Sequence, residues 1–121
     1  MADLLFPEEQ KASAADVDLY ESRADDGWYR YEDSASNRTS IHLSRYRVLR
    51  ETPKGVWLDD YGQGRFVLNG AGKRWAYPTI EQARESFLIR KRRQVQHLKH
   101  YLAHAEIVLA AAEKFFNAPQ G

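Results

Sequence analysis

Arginine and tryptophan side chains recur between residues 45 and 76 in a pattern suited to binding anions. If each short strand of this segment alternates its side chains, one face collects four arginines, an asparagine and a tryptophan. A guanidinium group binds phosphate through two hydrogen bonds, and an indole ring stacks on bases or on guanidinium groups. We therefore expect an anion- or nucleotide-binding surface that includes Arg47, Trp57 and Arg65. A solvated outer face, on which arginine stems cover apolar neighbours, is the alternative.

A second basic group interrupts the apolar stripe of the C-terminal segment. Residues 90–94 read Arg-Lys-Arg-Arg-Gln, and on a helical wheel Arg90, Lys91 and Gln94 fall along that stripe. We expect Arg90 and Gln94 to contact phosphate groups at a junction between subunits. The interruption is also typical of a hinge, of a helix that leaves its sheet, or of long stems that carry their charges to water.

Signatures of catalysis and metal binding are weak. His97, His100 and His104 have spacings of three and four residues, but no carboxylate or cysteine completes a metal-site pattern. Cysteine is absent, which excludes disulfides, iron–sulfur clusters and thiolate chemistry. No arrangement of Ser, His and Asp marks an activated nucleophile. We expect a protein without catalytic residues, a bound metal or a cofactor.

Composition and charge fit one small domain with an appended element, in a chain of 121 residues. The formal net charge of +1 hides a segregation, because residues 1–40 carry a net −6 and the remainder a net +7. The two parts can neutralise each other, or the basic part can bind an anion. No apolar run reaches the roughly 18 residues of a membrane span, and the N-terminus lacks the pattern of a secretory signal. We expect a cytoplasmic protein without membrane contact.

Turn signals divide residues 16–78 into short strands. Residues 52–55 (Thr-Pro-Lys-Gly) are typical of a hairpin turn, and residues 61–64 and 70–72 predict two more turns. The short connections favour an antiparallel meander of five to six strands, the last over residues 73–77. Alternation predicts a core face made of Tyr46, Val48, Val56, Leu58, Phe66, Leu68, Trp75 and Tyr77, with Val67 and Ala76 on the other face.

Residues 79–117 predict a C-terminal helix for packing and oligomerisation, and residues 1–15 an N-terminal tail. Thr79 and Gln82 form a capping-box pattern. One unbroken helix would be about 57 Å long, more than the diameter of so small a domain. Either the helix breaks, or its far half packs on another subunit. A wide apolar stripe in that half predicts a homo-oligomer: Leu98, Tyr101, Leu102, Ala105, Val108, Leu109, Ala112, Phe115 and Phe116.

Four stretches within residues 44–95 resemble a family of small bacteriophage-encoded proteins. They are residues 46–58 (YRVLRETPKGVWL), 65–68 (RFVL), 73–79 (KRWAYPT) and 85–91 (ESFLIRK). Some phage proteins of this build, a sheet followed by long helices, counter host defence. One class, similar to the Thoeris anti-defence proteins, sequesters cyclic nucleotide signals such as cyclic ADP-ribose derivatives. The resemblance implies an anti-defence role and supplies no ligand-binding residue.

The sequence thus favours an α+β protein of phage origin that sequesters an anionic cyclic nucleotide without catalysis. It would act as a homo-oligomer in the cytoplasm of the infected bacterium. A protein-binding inhibitor of a host defence complex, similar to anti-CRISPR proteins, is one alternative, since the acidic N-terminal part can imitate nucleic acid. A nucleic-acid-binding protein that uses the basic part is the other.

Overall fold

Six short strands precede one long helix in the computed structural model, which describes residues 16–21, 26–36, 38–70 and 72–118. This order confirms the expected α+β class, while the predicted tail over residues 1–15 lies outside the described residues. The elements are β1 (Asp18–Glu21), β2 (Trp28–Ser34), β3 (Ser40–Tyr46), β4 (Val48–Glu51), β5 (Gly55–Asp60), β6 (Gln63–Leu68) and α1 (Ile80–Phe116).

The first sheet has the strand order β1-β3-β2. β2 and β3 are antiparallel, with Trp28 opposite Tyr46, whereas β1 runs parallel to β3, with Asp18 opposite Ser40. The expected antiparallel meander therefore does not extend to β1. Its connection to β3 passes through the whole of β2, which provides the length that a parallel crossover needs.

The second sheet has the order β4-β5-β6 and is antiparallel throughout. Its first turn confirms the prediction for residues 52–55. The Thr52 N–H donates to the Gly55 carbonyl at 2.8 Å, and the Gly55 N–H donates to the Thr52 carbonyl at 3.3 Å. The second turn has positive φ at Tyr61 (51°) and Gly62 (88°), the signature of a two-residue type I′ hairpin. This tight turn sets the register of β6 against β5.

That register reverses the predicted faces of β6. Val67 lies opposite Val56 and is only 3% exposed, whereas Phe66 is 38% and Leu68 52% exposed. The prediction was wrong because alternation sorts the residues of one strand into two sets without saying which set meets the core. A one-residue shift in register exchanges the two sets.

Residues 73–77 do not form the predicted sixth strand of the meander. Their only ladder contact among the described residues is a bridge between Tyr77 and Tyr29, with hydrogen bonds of 2.6 and 2.9 Å. Strand alternation therefore does not apply to this segment. Ala76, expected on the outer face, is fully buried.

Two apolar clusters hold this part of the chain together. The first cluster joins the two sheets, since it contains side chains from β2 and β3 and from β5 and β6. Its members are Trp28, Tyr46, Val56, Leu58, Val67 and Ala76. The second joins the opposite face of the first sheet to the start of α1; its members are Tyr29, Tyr31, Leu43, Ala83 and Phe87.

The helix α1 is continuous over 37 residues, so the alternative of a broken helix is wrong. Thr79 caps it as predicted: its Oγ1 accepts from the Gln82 N–H at 3.2 Å and donates to Gln82 Oε1 at 3.0 Å. The chain forms two compact units whose boundary lies between Phe87 and Leu88. Past that boundary, no residue of the described helix is buried. No helix in the described part of the chain is long and apolar enough to cross a membrane.

Candidate ligand-binding site

The residues predicted to bind a ligand do not share one face of the sheet. Arg65 lies opposite Leu58, and Phe66 lies opposite Trp57, in the ladder between β5 and β6. Directly paired residues point to the same side of a sheet, so Arg65 and Trp57 point to opposite sides. The expected common surface of Trp57 and Arg65 is therefore wrong.

The other three predicted residues lie elsewhere. Arg47 is exposed in the link between β3 and β4, where its Nη2 is 3.4 Å from Asp59 Oδ2. Arg90 and Gln94 belong to the second compact unit, and Gln94 Oε1 accepts a hydrogen bond from Lys91 Nζ at 2.7 Å. Their role in binding phosphate stays a prediction.

Two guanidinium groups lie over the ring of Trp75. The Cζ atom of Arg65 is 4.2 Å from the ring centre, and that of Arg30 is 5.2 Å away. The Tyr46 ring packs against the same indole, with 4.6 Å between ring centres. We call Arg30, Arg65 and Trp75 the arginine–tryptophan cluster. Sequence patterning pointed to Arg65 but missed Arg30, because β2 lies far away in the chain.

Hydrogen bonds fix the two arginines unequally. Arg30 donates from Nη1 to the Trp75 carbonyl at 2.7 Å and from Nε to Glu32 at 2.9 Å, and only 20% of its side chain is exposed. Arg65 donates from Nε to Asp60 at 2.9 Å, and 44% of its side chain is exposed. Neither Nη group of Arg65 has an acceptor within the described residues. They can therefore bind an anion while the guanidinium plane stays held.

A polar row extends the surface beyond the cluster. Glu32 lies opposite His42, whose ring stacks on Tyr20 with 5.2 Å between centres and an interplanar angle of 15°. Ser40 Oγ is 2.8 Å from His42 Nε2, and Ser40 is buried. The hydroxyl group thus orients the imidazole ring from within the protein. The exposed Tyr20 ring adds a second aromatic surface at this end of the sheet.

A separate polar network fastens the start of α1 to the first sheet. Arg84 donates from Nε to Tyr31 Oη at 3.0 Å and from Nη2 to Glu21 Oε2 at 2.9 Å, and Tyr31 donates to the same carboxylate. Burial raises the pKa of Tyr31, and the hydrogen bond to Glu21 raises it further. Hydrogen bonds to Glu21 and Tyr31 raise the pKa of Arg84. This network has a structural role in the packing of α1 on β1 and β2.

Arginines also neutralise acids of the N-terminal part. Asp18 Oδ2 is 2.8 Å from Arg38 Nε, and this hydrogen bond lowers the pKa of Asp18. Asp26 Oδ1 is 3.2 Å from Arg45 Nη1. The pair of Asp18 and Arg38 lies within the acidic part, whereas Asp26 with Arg45 and Glu21 with Arg84 join the acidic part to the basic part. The latter two pairs support the expectation that the two parts neutralise each other in the fold.

The three histidines of α1 are exposed. Among the described residues, no group of three or more His, Asp and Glu side chains is arranged to hold a metal ion.

No protein-family model matches this chain, and no curated protein or solved structure shows significant similarity to it.

Proposed function

We propose that the protein binds a small anionic ligand that carries a planar base, such as a cyclic nucleotide, at the arginine–tryptophan cluster. The observation that supports this most directly is the state of Arg65. Its guanidinium group lies 4.2 Å from the Trp75 ring centre and is held by Asp60, yet 44% of the side chain is exposed. Such a group offers both a flat stacking surface and two open donors.

Each part of the ligand has a partner in this arrangement. The base stacks on the guanidinium plane of Arg65, which Trp75 supports from beneath. A phosphate oxygen accepts hydrogen bonds from the Nη groups, and charge-assisted bonds of this kind contribute about 1.5–3 kcal/mol each. Arg30, in β2, already donates hydrogen bonds to Glu32 and to the Trp75 carbonyl, so its role is to support the indole ring.

The charge around the cluster favours a small ligand over a nucleic acid. Asp60 and Glu32 each pair with one of the two arginines, so little net positive charge remains. Affinity for a duplex depends on many phosphate contacts across a broad basic surface. A ligand with one or two phosphates needs only the local donors of Arg65.

Sequestration of a signalling nucleotide is the biological role that this binding would serve. The protein would act as a homo-oligomeric phage counter-defence protein in the cytoplasm of the infected bacterium and would leave the ligand chemically unchanged. The sequence resemblance to small phage proteins supports this role, and the cluster supplies a means of binding.

Calorimetry against a panel of cyclic nucleotides tests the proposal. We expect the native protein to bind at least one member, and Arg65→Ala and Trp75→Ala to weaken that binding roughly tenfold or more. Arg50→Ala is the matched control, because Arg50 lies 5.8 Å from the Trp57 ring centre and pairs with Trp57 on the opposite face. Native-like binding by Arg65→Ala, or no binding of the panel by the native protein, would overturn the proposal.

Inhibition of a host protein is the second candidate function. It is favoured by the face of the second sheet that points away from Arg65. Trp57 and Phe66 pack with 5.2 Å between ring centres, and Phe66 and Leu68 on the same face are exposed. Exposed aromatic and aliphatic side chains of this kind are typical of protein interfaces. If Trp57→Ala abolishes counter-defence activity and leaves nucleotide binding unchanged, this candidate is the correct one.

A further inference from the structure

The charge beside the apolar stripe of α1 reverses halfway along the helix. Arg92, Lys99, Glu106 and Glu113 follow one another at intervals of seven residues. Seven residues make almost two helical turns, so the four side chains form one row along the helix. The row carries two positive charges followed by two negative charges. All four residues are exposed, and none forms an ion pair within the described part of the chain.

The apolar stripe beside this row is exposed as well. Leu98 is 58%, Leu102 59%, Leu109 60% and Phe116 83% exposed. The stripe consists of the nine residues that predict an oligomer from the sequence, and its exposed members lie entirely within the second compact unit. Soluble proteins rarely leave a continuous apolar surface of this length uncovered.

We propose that α1 pairs with α1 of a second copy in the antiparallel direction. When two copies of a helix are related by a two-fold axis across their apolar stripes, equivalent flanks of the stripes face each other. Arg92 then faces Glu113 of the second copy, and Lys99 faces Glu106 of the second copy. Both contacts occur in one register because the bases and the acids have the same seven-residue spacing. Symmetry doubles the contacts to four ion pairs.

The same register matches the apolar side chains. It overlaps residues 89–116 of the two copies along their full length, about 42 Å at 1.5 Å per residue. Val95 of one copy lies level with Leu109 of the second copy, within about one residue. In the same way, the small Ala105 lies level with the large Tyr101 of the second copy. Large side chains thus meet small ones at the centre of the pair.

A parallel pair lacks this complementarity. It would place the basic residues 90–93 of the two copies side by side, and the two charge rows would lie on opposite flanks of the interface. Charge complementarity therefore favours an antiparallel pair, in which α1 of a second copy covers the apolar stripe. This inference stands independently of the proposed ligand.

Charge reversal tests the pairing in the full-length protein by sedimentation equilibrium. We expect Arg92→Glu with Lys99→Glu to raise the dissociation constant of the dimer roughly tenfold or more at low salt, since four attractive contacts become repulsive. An equal mixture with the variant Glu106→Lys with Glu113→Lys should recover association. Arg93→Glu with Lys114→Glu is the matched control, because it makes the same charge change at two residues outside this row. A monomeric native protein, or an equal effect of the control, would overturn the proposal.

Introduced cysteines test the direction, since the native chain has none. A mixture of Val95→Cys and Leu109→Cys should form a disulfide between the two variants on mild oxidation. Val95→Cys alone should not, because its two copies would lie about 22 Å apart along the axis, at 1.5 Å per residue, beyond the span of a disulfide. A disulfide in Val95→Cys alone indicates a parallel pair and contradicts the inference, as does a mixture that forms none.

Discussion

Individual arginines of this protein differ in how many of their guanidinium donors already form hydrogen bonds. Arg84 binds Glu21 and Tyr31 and fastens α1 to the sheet, while Arg30 binds Glu32 and a backbone carbonyl. Arg65 uses one donor and lies over an indole ring. Arginine content alone predicted an anion-binding surface, but the hydrogen-bond partners decide which arginine has donors to offer.

Replacement of Arg65 by Lys should weaken ligand binding although the positive charge remains. Lysine has no planar group to stack on Trp75 and no forked donors for phosphate, so we expect a loss of roughly tenfold. Calorimetry measures the loss, with Arg50→Lys on the opposite face as the control. Equal affinity of Arg65→Lys and the native protein would mean that only charge matters at this position.

Buried tyrosines should make the protein less stable in alkaline solution. Burial raises the pKa of both Tyr31 and Tyr46, so the folded state keeps protons that the unfolded chain loses above about pH 10. The free energy of unfolding is therefore highest below that pH and falls as the pH rises further. Urea unfolding at about pH 9 and pH 11 measures the fall, which should be smaller in Tyr31→Phe. An unchanged fall in that variant would contradict the role of burial.

At the level of elements, the turns determine the strand register, which the alternation of side chains does not determine. The turns at residues 52–55 and 61–62 were both recognisable from the sequence, as was the cap at Thr79. The face of β6 was not, because it depends on the register that the second turn imposes. The segment around Trp75 was misread as a strand for a related reason: its packing comes from tertiary contacts with Tyr46 and Arg30.

Gly55 should be the most sensitive glycine of the second sheet. A Cβ atom there would lie 2.2 Å from the Val67 carbonyl oxygen and 2.7 Å from Phe66 Cζ, and the backbone oxygen cannot move without breaking the ladder. We expect Gly55→Ala to lower the free energy of unfolding by about 1–3 kcal/mol. Gly72→Ala is the control, since nothing lies within 4 Å of its Cβ position. Equal stability of the two variants in urea unfolding would contradict this packing.

At the level of the whole molecule, the chain combines a sheet unit with a helix that has more apolar surface than it covers. The sequence predicted this imbalance from the length of the helix and the width of its stripe. It did not predict the arginine–tryptophan cluster, which needs Arg30 from β2, Arg65 from β6 and Trp75 from the following segment. Residues so far apart in the chain converge only through the packing of the two sheets.

Native mass spectrometry, after incubation with a small-molecule extract of infected cells, shows whether the protein sequesters a nucleotide. We expect an oligomer whose mass increases by that of a nucleotide-sized ligand, released intact when the protein is denatured. Arg65→Ala should keep the oligomer and lose the added mass. A native protein whose mass is the same with and without extract would contradict the claim that this protein sequesters a small anionic ligand.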